Sequence, residues 1–241
     1  WGDQMLKFTG KPRANMYHDV THSTIGFWTD NGGYYHYDTG LDKSKKTILY
    51  APTFYPSSLE KLGLSLGDIT SGYNLIIKPH MWTYYLDSFG GISLKGQRKL
   101  IFKLIDQFDH IRLLEPAEYN VTPYYKISDL LLTDASSTIY EMIALSKPVV
   151  VNRFYHLKLS HRIFQKRLYK RRLDKEMNDE VEKFCYLADN VKQLPLAIEN
   201  ALNQNNKNTA LIKEYQKKML YRLDGSASIR ARDEILKRIN R

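Results

Sequence analysis

One cysteine in 241 residues, Cys185, excludes an internal disulfide and any metal centre built on several thiolates. No apolar run approaches the roughly twenty residues that a membrane-spanning helix needs, and no signal peptide opens the chain. Histidines and carboxylates do not gather at ligand spacing, so no protein-built metal site is expected. No repeat of fixed period appears, and no strand carries the aromatic-rich signature of an RNA-binding sheet, so nucleic acid is not an expected partner. Acid is in short supply as well. Against 36 Lys and Arg stand 26 Asp and Glu, a net charge of +10, which turns the surface toward phosphate-rich partners. Cys185 sits in the apolar run Phe184-Cys185-Tyr186-Leu187 and reads as a buried core thiol. These features suit a reducing, cytoplasmic compartment. Trp1 in first position is what a fragment or processed chain would show.

What is present is ordinary for a globular chain: 43% hydrophobic and 26% charged residues, enough for one large domain or two small ones. Residues 1–46 are rich in Gly, Asn, Asp, His and Tyr with little periodicity, and read as an irregular leader or domain junction. Residues 47–241 read as one Rossmann-like domain, a parallel sheet with helices on both faces, because apolar runs without alternation are separated by helical patterns. Thr47–Ala51, Asn74–Lys78, Ile111–Leu114 and Phe184–Leu187 are the expected strands outside the central segment. Helices are expected over Leu94–Phe108, Pro123–Ile127, Val191–Leu202, Thr209–Leu220 and Ala227–Ile239. Residues 203–208 read as a linker.

The most informative stretch is Leu130–Asn152, LLLTDASSTIYEMIALSKPVVVN. It reads as strand, polar turn, helix, strand. That order puts Asp134, Ser136, Ser137 and Thr138 at the carboxyl end of a buried strand, where open α/β sheets bind ligands and unpaired helix N–H groups favour anions. Asp134 would orient a ligand hydroxyl or cap the helix. Thr138 and Glu141 fit a capping box. In a parallel sheet all strand carboxyl ends share one edge, so Pro52-Thr53, Lys78-Pro79-His80, the 134–138 turn and Asn152-Arg153 are expected to converge. His80 there would serve as acid, base or cation against a phosphoryl oxygen. Asp224-Gly225-Ser226-Ala227-Ser228, followed by Arg230, repeats the pattern of small hydroxyl residues before a helix.

Residues 161–175, HRIFQKRLYKRRLDK, hold seven Lys or Arg against one acid, with Ile163, Phe164, Leu168 and Tyr169 interleaved. A charge run of this kind generally reads as a solvated basic helix face, and the interleaved apolar residues also fit an amphipathic helix resting on an anionic membrane surface.

Five elements in order resemble the CDP-glycerol glycerophosphotransferase family, the enzymes of teichoic-acid and related capsule synthesis. They are Gly10-Lys11-Pro12-Arg13, Ile48 to Phe54, Ile77-Lys78-Pro79-His80, Thr133 to Ser137 with Lys147-Pro148, and Asp224 to Ser228 with Arg230. The resemblance implies the carboxyl-terminal, donor-holding half of a GT-B fold. It implies attack by an acceptor hydroxyl on the β-phosphorus of a CDP-activated glycerol-phosphate or related polyol-phosphate, releasing CMP. The acceptor would be lipid-linked or polymeric, and the enzyme peripheral on the inner membrane face. By the match, His80 is the catalytic or phosphate-contacting residue, Ser136, Ser137 and Ser228 lie at the pyrophosphate, and Glu141 reaches the ribose. Lys78, Asp134, Thr138, Ser226 and Arg230 complete the implied donor site, and Arg153 is added on position alone. No cofactor is implied beyond magnesium arriving with the donor's phosphates. A further catalytic histidine belongs to the family's acceptor half, so this chain alone is expected to turn over little. The sequence departs from the family at Met81-Trp82, at Ala135 and in the basic 161–175 segment, all of which concern donor identity. Two other readings fit parts of the chain: a GT-B glycosyltransferase using a nucleotide sugar, and a basic membrane- or nucleic-acid-binding module without catalysis.

Overall fold

The computed structural model describes residues 24–28, 34–38, 40–116, 121–164, 166, 168, 179–180, 183–203, 209–220 and 222–239. Its centre is a six-stranded parallel sheet. The strands are β3 (Thr47–Ala51), β4 (Asn74–Ile77), β7 (Ile111–Leu113), β8 (Leu130–Thr133), β9 (Val149–Asn152) and β10 (Tyr186–Ala188), in spatial order β10-β9-β8-β3-β4-β7. Every residue of β3, β4, β8 and β9 is buried. Strands covered on both faces read as unbroken apolar runs, and for that reason they were visible in the sequence.

Side chains alternate between two cores. Ile48, Tyr50, Leu75, Ile77, Leu130 and Leu132 point to one face. There α1 (Leu59–Leu62), α2 (Ser65–Ile69), α4 (Leu94–Gln107) and α8 (Leu194–Asn203) cover them with Leu59, Leu66, Leu104 and Ile198. Leu49, Ile76, Leu131 and Val149 point to the other, beneath α5 (Thr122–Ile127), α6 (Thr138–Ala144) and α9 (Thr209–Tyr215). This is the expected α/β class, a Rossmann-like sheet between two helical layers. At about 25 cal/mol per Å² of apolar surface buried, these two cores are the main source of stability.

Several details differ from expectation. The 1–46 segment read as irregular contains an antiparallel pair, β1 (Thr24–Trp28) with β2 (Tyr34–Asp38), in register from Thr24 opposite Asp38 to Trp28 opposite Tyr34. The last strand is Tyr186–Ala188, one or two residues later than its apolar run suggests. The helix expected from Val191 begins as a 3-10 turn, Val191–Gln193, which Asn190 caps through its side chain. The helix expected over Thr209–Leu220 ends at Tyr215 and continues as a π-turn, Gln216–Leu220. Short elements escaped the sequence altogether: α3 (Met81–Tyr85) and the two-residue strands β5 (Ser88–Phe89) and β6 (Ile92–Ser93). Of the basic 161–175 stretch, only His161–Phe164, Lys166 and Leu168 are described. They begin in α7 (Leu159–Ile163). The Gly10 to Arg13 element and residues 204–208 lie outside the described residues. The final helix, α10 (Ala227–Ile239), buries none of its residues.

Candidate functional site

Strand order decides what can meet. β3 lies between β8 and β4, all parallel, with Ala51 opposite Thr133 and Tyr50 opposite Ile77. The exits of β4 and β8 therefore flank the exit of β3 at one carboxyl edge. Lys78 and His80 leave one strand, residues 134–138 the other, and the loop 52–58 runs between them. The expected convergence is the arrangement found.

His80 ends the β4 exit and caps α3: its Nδ1 accepts the backbone N–H of Trp82 at 3.2 Å. A neutral ring accepting at Nδ1 carries its proton on Nε2. The outward nitrogen is then a hydrogen-bond donor. Phe54 lies against the imidazole (ring centroids 4.8 Å apart), Trp82 meets it edge-on at 5.4 Å, and Phe89 packs behind Trp82. Burial in this aromatic setting, and then the Lys78 charge, depress its pKa below the usual imidazole value. Lys78 is itself mostly buried, so its ammonium pKa is also pulled down, while Glu141 on α6 pulls the other way.

On the β8 side, Ser136 Oγ accepts the hydroxyl of Thr138 at 3.0 Å and its backbone N–H at 3.3 Å. Its hydroxyl is thus joined to Thr138 and, through it, to Thr133. Ser137 occupies the cap position of α6, is exposed, and makes no side-chain capping bond. Because α6 has only seven residues, hydroxyls and Lys78 weigh more here than a macrodipole.

Two expected roles are corrected. Asp134 neither caps α6 nor faces outward. It is wholly buried, and its two carboxylate oxygens accept the backbone N–H groups of Thr53 (3.1 Å) and Ser58 (3.2 Å). Burial outweighs those bonds and raises its pKa to about 7. The Thr138–Glu141 capping box does not form. Thr138 turns to Ser136 and Thr133 instead, and Glu141 lies within electrostatic reach of Lys78 and Tyr125, whose phenol pKa is raised by burial first and then by that carboxylate. Arg153 sits at the exit of β9 as expected, and there Asp189 engages its partly exposed guanidinium at 2.5–2.7 Å, so a donor would have to compete with that pair.

Ser226, Ser228 and Arg230 belong to the start of α10. Asp224 accepts the Ser226 N–H at 3.0 Å and both its oxygens take the Arg230 guanidinium at 2.8–2.9 Å, which holds the Asp224 carboxyl below its usual range. The element is thus organised internally around its own aspartate. Lys147, conspicuous beside Pro148, is explained structurally: its ammonium donates to the carbonyls of Tyr125, Lys126 and Ser128 at 2.5–3.0 Å, closing the end of α5.

Sequence reasoning missed Gln97. It is 1% exposed on α4, donates to the Phe54 carbonyl (3.0 Å) and to Glu60 (2.8 Å), and accepts from Thr83 of α3 (3.1 Å). The signal was available: Gln97 shares helical spacing with Leu94, Ile101 and Leu104, and so is a polar residue on a buried face. No three His, Cys, Asp or Glu side chains group for metal binding among the described residues.

Comparison with known proteins adds to this geometry. The model of the family described as CDP-Glycerol:Poly(glycerophosphate) glycerophosphotransferase matches residues 3–237. A teichoic acid poly(glycerol phosphate) polymerase from Bacillus spizizenii (strain ATCC 23059 / NRRL B-14472 / W23) is 30% identical over 122 residues, covering 46% of this chain and 27% of that protein. A histidine-to-asparagine variant of the wall teichoic acid polymerase TagF is similar in fold, with a TM-score of 0.50 and 18% identity, over 83% of this chain and 45% of the other. The same variant soaked with CDPG gives a TM-score of 0.49 and 20% identity, over 83% of this chain and 43% of the other. The chain thus spans about a quarter of the curated relative and under half of the solved polymerase.

Proposed function

The chain belongs to the CDP-glycerol:poly(glycerophosphate) glycerophosphotransferase family, and from that premise we propose that its carboxyl edge is the donor site of a polyol-phosphate transferase. The donor is CDP-glycerol or a close polyol analogue, and the product a phosphodiester in a cell-envelope polymer. The observation that carries this reading is the shared edge, with Lys78 and His80 on one side of β3 and Ser136 and Ser137 on the other.

The reaction joins an acceptor hydroxyl oxygen to the β-phosphorus and breaks that phosphorus's bond to the oxygen bridging to CMP. CMP leaves with the bond's electron pair, and the hydroxyl proton passes to a base on the acceptor side. Phosphoryl transfer of this kind is governed by positioning and charge stabilisation. His80 suits it as an Nε2–H donor to a phosphoryl oxygen, Lys78 as a cation under the bridging oxygens, and the two serines as hydroxyl donors to the diphosphate. With its ring neutral near pH 7, His80 holds a hydrogen-bonding proton without adding a second cation beside Lys78. Magnesium would come bound to the donor's own diphosphate. Ser226, Ser228 and Arg230 stay in the proposal as a second donor contact, reached once the Asp224 clasp on Arg230 yields to phosphate. Arg153 stays on the same terms, in competition with Asp189, whereas the buried Asp134 leaves the list of direct contacts.

A lipid-linked or polymeric acceptor requires the site to work at a membrane. Leu159, Ile163 and Phe164 are 68%, 63% and 52% exposed beside Lys158 and Arg162, the composition of an interfacial contact. His161 does not join that face; it is buried and bonded to the Tyr55 hydroxyl at 2.7 Å. No described helix is long and apolar enough to cross a membrane; the exposed face of α7 is the proposed contact with the inner membrane surface.

Titration by thermal unfolding tests the donor. CDP-glycerol at a hundred times its dissociation constant stabilises by about 2.7 kcal/mol, and UDP-sugars do not. Stabilisation by UDP-sugars alone would replace this reading with a sugar transferase. With acceptor present, the isolated chain releases CMP slowly or not at all.

A further inference from the structure

Residues buried behind the carboxyl edge have no route to a donor, yet they are tied to the loop that touches His80. Two tethers hold that loop. From β8, Asp134 accepts the N–H of Thr53 on one oxygen and that of Ser58 on the other, clamping both ends of residues 53–58. From α4, the Gln97 amide donates to the carbonyl of Phe54, the residue between those ends whose ring lies 4.8 Å from the imidazole. The same Gln97 accepts the hydroxyl of Thr83, one turn into the helix that His80 caps. One buried amide therefore fixes both the ring packed on the histidine and the helix the histidine begins.

We infer that Asp134 and Gln97 are positioning residues for His80: a buried polar frame that sets the imidazole's orientation and solvent exposure through Phe54 and α3. Neither touches the reacting atoms. Among the described residues the Asp134 carboxylate is met by those two N–H groups, by the Thr53 hydroxyl at 3.5 Å and by the Ser58 side chain. Tyr50 donates to or accepts from Ser58 at 2.9 Å, and Asn152 donates to it at 3.0 Å, so the far end of the loop is braced from β3 and β9 as well. Glu60, beside Gln97 and within electrostatic reach of Asp134, is the other carboxylate at this frame. Lys78 is the charged group that acts on the imidazole itself, and it stays in place when the frame is altered. A loosened frame exposes the ring, and an exposed ring titrates nearer the ordinary histidine value of about 6.5.

This inference rests on His80 being the reacting-centre contact, but its test reads the ring directly and needs no turnover. The histidine C–H resonances of the folded chain are followed against pH, with His80→Asn to assign the signal. The unaltered chain should show His80 titrating below about 6.5. Asp134→Asn and Gln97→Leu should each move that midpoint upward toward it. His110, at the opposite edge of the sheet and bonded to Thr70, should not move. Phe54→Leu should reproduce the shift, and it decides the matter with Gln97→Leu if Asp134→Asn does not fold. Unmoved His80 midpoints in the folded variants, or equal movement of His80 and His110, would overturn the frame. Failure of CDP-glycerol to bind while the midpoints shift as stated would remove the proposed function and leave the frame standing.

Discussion

At the amino edge of the sheet Asn74 uses both ends of its amide within the protein. It accepts the Asp42 N–H and donates to the carbonyls of Asp42 and Lys45 and to the Thr47 hydroxyl. Asp129 there takes the Thr47 N–H and the Lys46 ammonium, both at 2.9 Å, and Lys147 is closed on three carbonyls. At the carboxyl edge the polar groups divide into two tiers. The inner tier, Asp134 and Gln97, is as fully occupied as Asn74. The outer tier differs: Ser137 is exposed and caps nothing, His80 presents Nε2, and Ser136 is held only through the Thr138 N–H and hydroxyl. Polar residues alone do not set the proposed site apart: the layer beneath it is largely paired, with Glu60 Oε2 and Asn152 Oδ1 the buried oxygens left without a partner among the described residues, and the difference lies in the outer tier's remaining donors.

That contrast breaks if substitutions at the two edges behave alike. The largest effect is expected from Asn74→Leu, which orphans buried backbone groups and should cost about 2–4 kcal/mol in chemical denaturation. The affinity of the remaining folded protein for CDP-glycerol should be unchanged. Lys78→Met should do the reverse, weakening CDP-glycerol about tenfold or more by calorimetry, near 1.4 kcal/mol, with stability equal or higher because a partly desolvated charge is removed. Ser136→Ala and Ser137→Ala should each weaken binding by a smaller factor, about three- to tenfold, and leave the denaturation midpoint in place. Equal stability losses at both edges would erase the distinction.

Acidity separates the tiers further. The Asp134 pKa is raised to about 7, so the folded chain holds that proton more tightly than the unfolded one. Its contribution to stability therefore falls as pH rises from about 4 to 7. Asp134→Asn should remove that slope from stability measured across the range. His80 and His110 are depressed, so they oppose it, lowering stability as pH drops through about 6.5. The smallest effect belongs to Lys46→Ala, an exposed partner of Asp129, at about 0.5 kcal/mol or less in the same denaturation assay.

Much of this was legible in the chain. Four strands announce themselves because burial on both faces forbids polar alternation, and once they are parallel the shared edge follows. The outer tier, His80, Ser136 and Ser137, was expected from position at the strand ends together with the family resemblance. The inner tier was not. Asp134 looked like a cap because capping is a local relation, whereas its partners lie 76 and 81 residues away. Glu141 was assigned to Thr138 by spacing, but Lys78 and Tyr125, from other elements, claim it. Arg153 was placed at the right strand end, and Asp189, on the loop after β10, could not be seen from there. Short elements such as α3 carry too few residues for a periodicity, although α3 is the one that His80 begins.

The reach of Asp134 has a kinetic side. During synthesis on a ribosome, the 53–58 segment emerges some eighty residues before its clamp does, and β8 must slot beside β3 before the two can join. Until then Phe54 and the loop around it have only partners from their own half of the chain. On the proposed function, competence to bind a donor would therefore wait for the closing of the sheet's centre, and a nascent chain ending before residue 134 would hold the outer groups of the β4 side without the clamp that frames them.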